Sequence, residues 1–146
     1  MNTKIYIRDG RAPIPNDPKI SVIMSANRGR NTNPELIFKR LLRRFKLSGY
    51  RSYLNVPGRP DLAFPKKKLA VFINGCFWHR CPYCNYPLPK SNRKFWSTKF
   101  KRNVLRDERK TKELKRLKWK VIVVWECKIK NDPNKAVQRV ARALKY

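Results

Sequence analysis

Three of the chain's four cysteines fall within nine residues, as Cys76-x4-Cys81-x2-Cys84, and Cys127 lies just beyond a distant Val-rich run. A tight three-ligand loop plus one remote ligand completes a tetrahedral zinc site and leaves no position open for substrate. The implied metal is structural, and it ties the loop to the strand that precedes Cys127. The same C-x4-C-x2-C…C spacing occurs in plant-type two-iron clusters. A strongly positive chain with no other redox signature ranks zinc above the cluster. No secretory signal is visible, so disulfides are not expected, and clustered thiols in a reducing compartment more often bind metal.

Charge narrows the partner. Thirty-seven Lys and Arg stand against nine Asp and Glu, for a formal net charge of +28 over 146 residues. Such a field attracts polyanions and releases their condensed counterions on binding. The 41% hydrophobic and 12% aromatic content is too high for a disordered basic tail. No membrane-seeking amphipathic helix stands out, and the apolar run from Leu69 to Trp78 is too short to span a bilayer. Charge makes nucleic acid the expected partner; the expected setting is the cytoplasm, in association with the nucleoid, and the expected form is a monomer.

Residues 1–17 read as an N-terminal arm and 18–146 as one domain. Asp17-Pro18 caps a short helix over 18–26. A second helix opens on the capping box Thr32-x-x-Glu35, with apolar positions Leu36, Ile37, Leu41, Leu42 and Phe45 at helical spacing and Gly49 beyond its end. Tyr53-Leu54, Asp61 to Phe64 and Leu69 to Ile73 are short strand-like runs, separated by Pro57-Gly58-Arg59-Pro60 and Pro65 to Lys68 as turns. A long helix near 92–118 follows the cysteine loop; from Lys90 to Lys120 there are fourteen basic residues and three acidic ones. Lys120 to Trp125 is the strongest strand and reads as buried on both faces. A last helix after Pro133 places Ala136, Val137, Val140, Ala141 and Leu144 on one side. The order implies a mixed α/β sheet flanked by helices.

Acidic residues are scarce, which makes each informative. Asp61, at a strand edge after Pro-Gly-Arg-Pro, suits a hard cation such as Mg²⁺, which phosphodiester hydrolysis requires. An Asp after Pro is also a common turn residue. His79 is the single histidine, and an imidazole is the side chain best suited to general-base activation of water near neutral pH; a surface histidine or a fifth zinc ligand is the plainer alternative. Glu35 is already explained by the capping box, and is otherwise a residue supporting the metal site. Phe77 and Trp78, adjacent in a short metal-stapled loop, cannot both turn inward easily, and apolar side chains inserted between base steps kink DNA.

Taken in order, PGRPDLAF, LAVFINGCFWHRCPYC, KSNRKFW, KRNVLRDERK and VIVVWEC resemble the very-short-patch-repair (Vsr-type) DNA mismatch endonucleases, as does the upstream MSANRGRNTNPE. The likeness runs from about residue 18 to 127. It implies a restriction-endonuclease-like fold of the PD-(D/E)xK type, a structural zinc, and Mg²⁺-dependent nicking of one strand of double-stranded DNA beside a T:G mismatch. It implies Asp61 and the Ile73 backbone carbonyl as Mg²⁺ ligands, His79 as the residue handling the water proton, and Glu35 as a helix glutamate of the site. Phe77, Trp78 and Trp96 fall on the aromatic wedge, and Cys76, Cys81, Cys84 and Cys127 on the zinc ligands. Where a PD-(D/E)xK enzyme carries its E-x-K, this chain reads Ile73-Asn74-Gly75, an incomplete triad. Asn74 stands where relatives carry an acid or a His.

Two alternative readings accompany this one. A related strand-nicking endonuclease of a restriction or phage-defence system, with looser specificity, would use the same fold and site. A non-catalytic zinc-stabilised nucleic-acid-binding protein would leave Asp61 and His79 structural. Mismatch-repair or restriction-modification proteins are the candidate protein partners.

Overall fold

The computed structural model describes Lys19 and residues 29–145; the expected arm and the helix over 18–26 lie, Lys19 apart, outside the described residues. Four strands, β1 (Arg51–Ser52), β2 (Leu62–Phe64), β3 (Leu69–Asn74) and β4 (Lys120–Trp125), form one sheet in the order β1-β2-β3-β4. The first three pair antiparallel, β1 and β2 across the loop 53–61 and β2 and β3 across the short turn 65–68. β3 and β4 pair in parallel from Leu69↔Lys120 to Asn74↔Trp125. A parallel pair needs a long crossover, supplied here by the cysteine loop and helix α2 (Arg93–Arg116). Helix α1 (Asn33–Arg44) precedes the sheet, and α3 (Glu126–Asn131) and α4 (Pro133–Lys145) follow it.

One face of the sheet holds the main core. Leu62, Phe64, Leu69, Val71, Ile73, Ile122 and Val124 point to that face and meet Phe38 and Leu42 of α1, Ile129 of α3, and Ala136, Val137 and Val140 of α4. The other face carries α2 against β4. The inner strand β3 is covered almost throughout, whereas β4, at the sheet edge, alternates: Ile122 and Val124 are buried, and Val121, Val123 and Trp125 are half-covered. The expectation that β4 is buried on both faces is therefore corrected. Two-sided burial belongs to β3, because only an inner strand has neighbours on both flanks.

Helix α1 is rolled relative to its expected face. Phe38 and Leu42 are fully buried, while Leu36, Ile37 and Phe45 are exposed. The cause is Glu35, which is 2% exposed and anchors the inward stripe one turn before Phe38. Nor is the expected capping box formed. Thr32 has extended N-cap backbone (φ −66°, ψ 160°) and makes no side-chain cap; its hydroxyl donates to Glu35 Oε1 instead, at 3.1 Å. The first strand is Arg51–Ser52, not Tyr53-Leu54, because Tyr53 adopts a left-handed φ of 54°, which an extended strand does not tolerate.

Candidate active site

Residues on one strand alternate between sheet faces, and opposed residues on neighbouring strands share a face. Leu62 pairs with Val71 toward the main core. One step on, Asp61 lies opposite Phe72, so Asp61, Phe72 and Asn74 face α2. The buried turn residue Pro60 delivers Asp61 to the end of β2. Its Oδ2 accepts the Ile73 N–H at 2.6 Å. The N–H and C=O of a strand residue point to the same flank, so the Ile73 carbonyl also faces Asp61. A carboxylate and a carbonyl thus converge where the β2–β3 ladder ends.

Burial is the main force on Asp61 and pushes its carboxyl up to about 6. The Ile73 N–H opposes that rise, the Glu35 charge adds to it, and His79 and Lys110 oppose it. A carboxylate held this way gains from a bound cation. Glu35 is engaged already: its Oε2 accepts the Asn31 N–H at 3.0 Å and the Tyr53 hydroxyl at 2.5 Å. Burial, then Glu35, pushes the Tyr53 hydroxyl up to about 12. Glu35 therefore acts on Asp61 through its field while its oxygens hold α1 to the Tyr53 turn.

His79 leaves the cysteine loop toward α2, where its Nδ1 lies 2.6 Å from Asp107 Oδ2. Both side chains are about a quarter exposed, at 25% and 27%. An ionised carboxylate can only accept, so Nδ1 is the donor in this pair, and in the neutral ring that leaves Nε2 as the acceptor. Asp107 was not singled out in the sequence, nor was Lys110, one helical turn beyond it. The only available signal was their place in KRNVLRDERK, where two acids interrupt a basic run. Asn74, 7% exposed, lines a cleft of about 20 Å³ with Asp107, Lys110 and Thr111.

The four cysteines also converge. Their sulfurs all lie within 4.8 Å of one another, and Cys81 Sγ is 3.7 Å from Cys127 Sγ. Thiolates at the corners of a zinc tetrahedron stand about 3.8 Å apart, given Zn–S bonds of about 2.3 Å, whereas a disulfide needs about 2.05 Å. The donor set and spacing fit a metal. The Cys127 N–H points at Cys76 Sγ at 3.3 Å, a bond that favours thiolate. Burial raises the Cys76 thiol; at Cys81 burial is outweighed by the N–H groups of Tyr83 and Cys84, which lower it.

Phe77, Trp78 and Trp96 meet in one aromatic cluster. Phe77 stands edge-on to Trp78 at 5.1 Å and to Trp96 at 5.9 Å, and Trp96 stacks on Phe100 at 5.6 Å. Trp96 is 9% exposed, while Phe77 and Trp78 are half-buried at the surface of the cluster. Neither residue of the Phe77-Trp78 pair turns wholly outward, because edge-to-face contact lets both share the cover of α2. Lys99 Nζ sits 5.3 Å from the Trp78 ring centroid.

A mixed sheet presenting a carboxylate at its end, with an imidazole and a basic helix beside it, is the frame of a nuclease. The catalytic domain of homing endonuclease I-Bth0305I shares the fold, with a TM-score of 0.53 over 77% of this chain and 94% of that domain, at 23% identity. The sequence model of DNA mismatch endonuclease Vsr matches residues 14–85. Type II nicking enzyme V.XorIIP of Xanthomonas oryzae pv. oryzae is 40% identical over 110 residues, 73% of this chain and 79% of its own length. Type II nicking enzyme V.NmeAIP of Neisseria meningitidis is 36% identical, covering 87% and 92%. DNA mismatch endonuclease Vsr of Escherichia coli is 37% identical over 76 residues, about half of each chain (52% and 49%). The chain belongs to the Vsr family of DNA endonucleases.

Proposed function

We propose that the protein nicks one strand of a DNA duplex beside a T:G mismatch, using water activated at a divalent metal. The observation that carries this reading is that Asp61, which accepts the Ile73 N–H at the end of the sheet, lies within electrostatic reach of His79, itself paired to Asp107. Asp61 and the Ile73 carbonyl would hold Mg²⁺, which supplies charge neutralisation at the phosphate and a more acidic water. Asp107 holds His79 in the tautomer that leaves Nε2 free, and Nε2 takes the proton as the water oxygen bonds to phosphorus and one P–O bond breaks. Glu35 adds a second negative charge near Asp61, which strengthens the pull of the site on a divalent cation. Lys and Arg along α2 neutralise flanking phosphates, giving affinity that falls steeply with salt.

Cys76, Cys81, Cys84 and Cys127 would hold zinc as a closed structural centre. Phe77, Trp78 and Trp96 form the proposed wedge, with Trp96 as its buried footing. A T:G pair stacks less well than a matched pair, so prying it open costs less, and that difference becomes discrimination. Among the described residues no helix is long and apolar enough to cross a membrane; the setting proposed for the enzyme is the cytoplasm, and its proposed acting form is a monomer.

A second reading is favoured by the names of relatives that cover most of the chain: a type II nicking enzyme with looser specificity, attached to a restriction system. Incubating matched and singly mismatched duplexes with the protein and Mg²⁺ separates the two. The mismatch reading expects one nick per T:G duplex and slow or no cleavage of matched duplex. Equal nicking of both would favour the second reading.

A further inference from the structure

The notable cation of this site is on a helix, not on the sheet. Strand β3 ends Ile73-Asn74 and carries no lysine or arginine over 69–74. Lys110 of α2 enters the cleft from the opposite side, lining it with Asn74 and Asp107. It follows Asp107 by three residues, so the two side chains share one helix face.

The turn that delivers Asp61 also grips this lysine. A Cβ at Gly58 would stand 2.9 Å from Lys110 Cβ, 3.0 Å from Cγ and 3.2 Å from Cδ. Only a glycine lets the Pro57–Pro60 backbone lie so close to the Lys110 stem, and its φ of 78° suits glycine as well. A solvated surface lysine is free to sweep through many rotamers; Lys110 is half-buried and pinned along its alkyl chain. Yet among the described residues no hydrogen bond or ion pair engages its ammonium. Burial, and then the Arg106 guanidinium, hold the amine below the ordinary lysine range, and the charges of Asp107 and Asp61 only partly offset this. A half-buried ammonium without a partner is costly unless an anion arrives. In a nuclease cleft that anion is a phosphodiester.

We propose that the Lys110 ammonium contacts the scissile phosphate, supplying from helix α2 a cation that β3 does not carry. This rests on the reading of Asp61 and His79 as the active site. Charge grows on the phosphate oxygens as the P–O bond breaks, so a pre-placed ammonium contributes more in the transition state than in the ground state. Lys110 differs in this from the exposed lysines of α2, which hold flanking phosphates and act on affinity alone.

The test pairs a side-chain change with a single-atom charge change in DNA. The nick made by the wild-type protein is mapped on a T:G duplex, and a second duplex is made with a neutral methylphosphonate at that one position. Binding of both duplexes is measured in Mg²⁺-free buffer for wild type, Lys110→Gln and Lys110→Arg. Wild type should bind the natural duplex about tenfold tighter than the methylphosphonate duplex, the scale of a charged hydrogen bond. Lys110→Gln should bind the two alike, and Lys110→Arg should recover part of the difference. With Mg²⁺, Lys110→Gln should nick roughly 10²-fold more slowly with KM little changed. A methylphosphonate penalty as large in Lys110→Gln as in wild type would overturn the proposal, whatever the nicking rate. If Asp61→Ala is inactive while Lys110→Gln nicks at the wild-type rate, the active-site reading stands and the Lys110 proposal falls. If wild type and Asp61→Ala nick alike, both fall.

Discussion

The two polar centres, both reached from the end of β3, are built on opposite principles. The thiol centre is closed: four like donors within 4.8 Å saturate a tetrahedron and face one another. The Asp61 centre is open: its carboxylate takes one N–H, from Ile73, and feels the charges of His79, which is paired to Asp107, and of Lys110, whose ammonium has no hydrogen-bond or ion-pair partner among the described residues. A centre that satisfies itself adds stability, and a centre left unsatisfied has charge to offer a substrate. Asn74 lies beside one and Cys76 belongs to the other, so a single residue, Gly75, separates the two centres along the chain.

Breaking the closed centre should have the widest effect. Cys127→Ser removes the proposed ligand that joins the loop to α3, and the binding free energy of a structural metal is folding free energy. Metal analysis should show about one zinc per wild-type chain and little in the variant. The melting temperature should drop by more than about 10 °C, and nicking should be lost as the fold is lost. Iron with visible absorption in the wild type would replace zinc in the assignment.

Changes in the open centre should spare the fold. His79→Ala is expected to slow single-turnover nicking by roughly two to four orders of magnitude, the usual cost of losing a general base. Asp107→Asn keeps the shape but not the charge that orients the ring, and should cost about 10- to 100-fold. Zinc content and melting temperature should be near wild type in both. Equal rates for wild type and Asp107→Asn would detach Asp107 from the mechanism.

The aromatic cluster sits between the two regimes, and its members should divide. Trp78→Ala removes a half-buried ring at the cluster surface; mismatch binding should weaken about tenfold, the scale of one stacked base, with zinc retained. Trp96→Ala removes a ring that is 9% exposed, and should cost about 3 kcal/mol of stability. A loss of stability in Trp78→Ala with unchanged preference for T:G duplex would make that ring core, and the wedge would be wrong.

The smallest effect expected is a gain. Asp61 has its carboxyl raised from 3.8 to about 6, first by burial. Between those values the unfolded chain gives up its proton before the folded one does, so folding stability falls as pH rises across that window and stays lower above it. Asn cannot ionise. In Mg²⁺-free buffer Asp61→Asn should therefore melt a few degrees above wild type at pH 8 and level with it near pH 4, as read by thermal melts.

The closed centre was legible in the sequence because its ligands are chemically distinctive and three lie within nine residues. Asp61 and His79 were legible because acids and histidines are rare in so basic a chain. Asp107 and Lys110 were not, because on a helix of alternating charges each reads as a solvated residue until the crossover brings α2 over β3. Strand and helix order followed from apolar runs and turn residues. The roll of α1 did not, since the residue that sets it is a buried glutamate, which a hydrophobic pattern scores as surface. For the same reason β4 outranked β3 by composition, although position in the sheet decides which is covered. The short helix α3, between Trp125 and Pro133, carried no capping signal.

The division between a stabilising centre and a reacting one is tested most directly by single-turnover nicking of a T:G duplex with zinc-loaded Asp61→Ala, at saturating Mg²⁺ and beside wild type. The expected result is a variant that binds the duplex, keeps about one zinc per chain and leaves both strands intact. Nicking by that variant at the wild-type rate would contradict it.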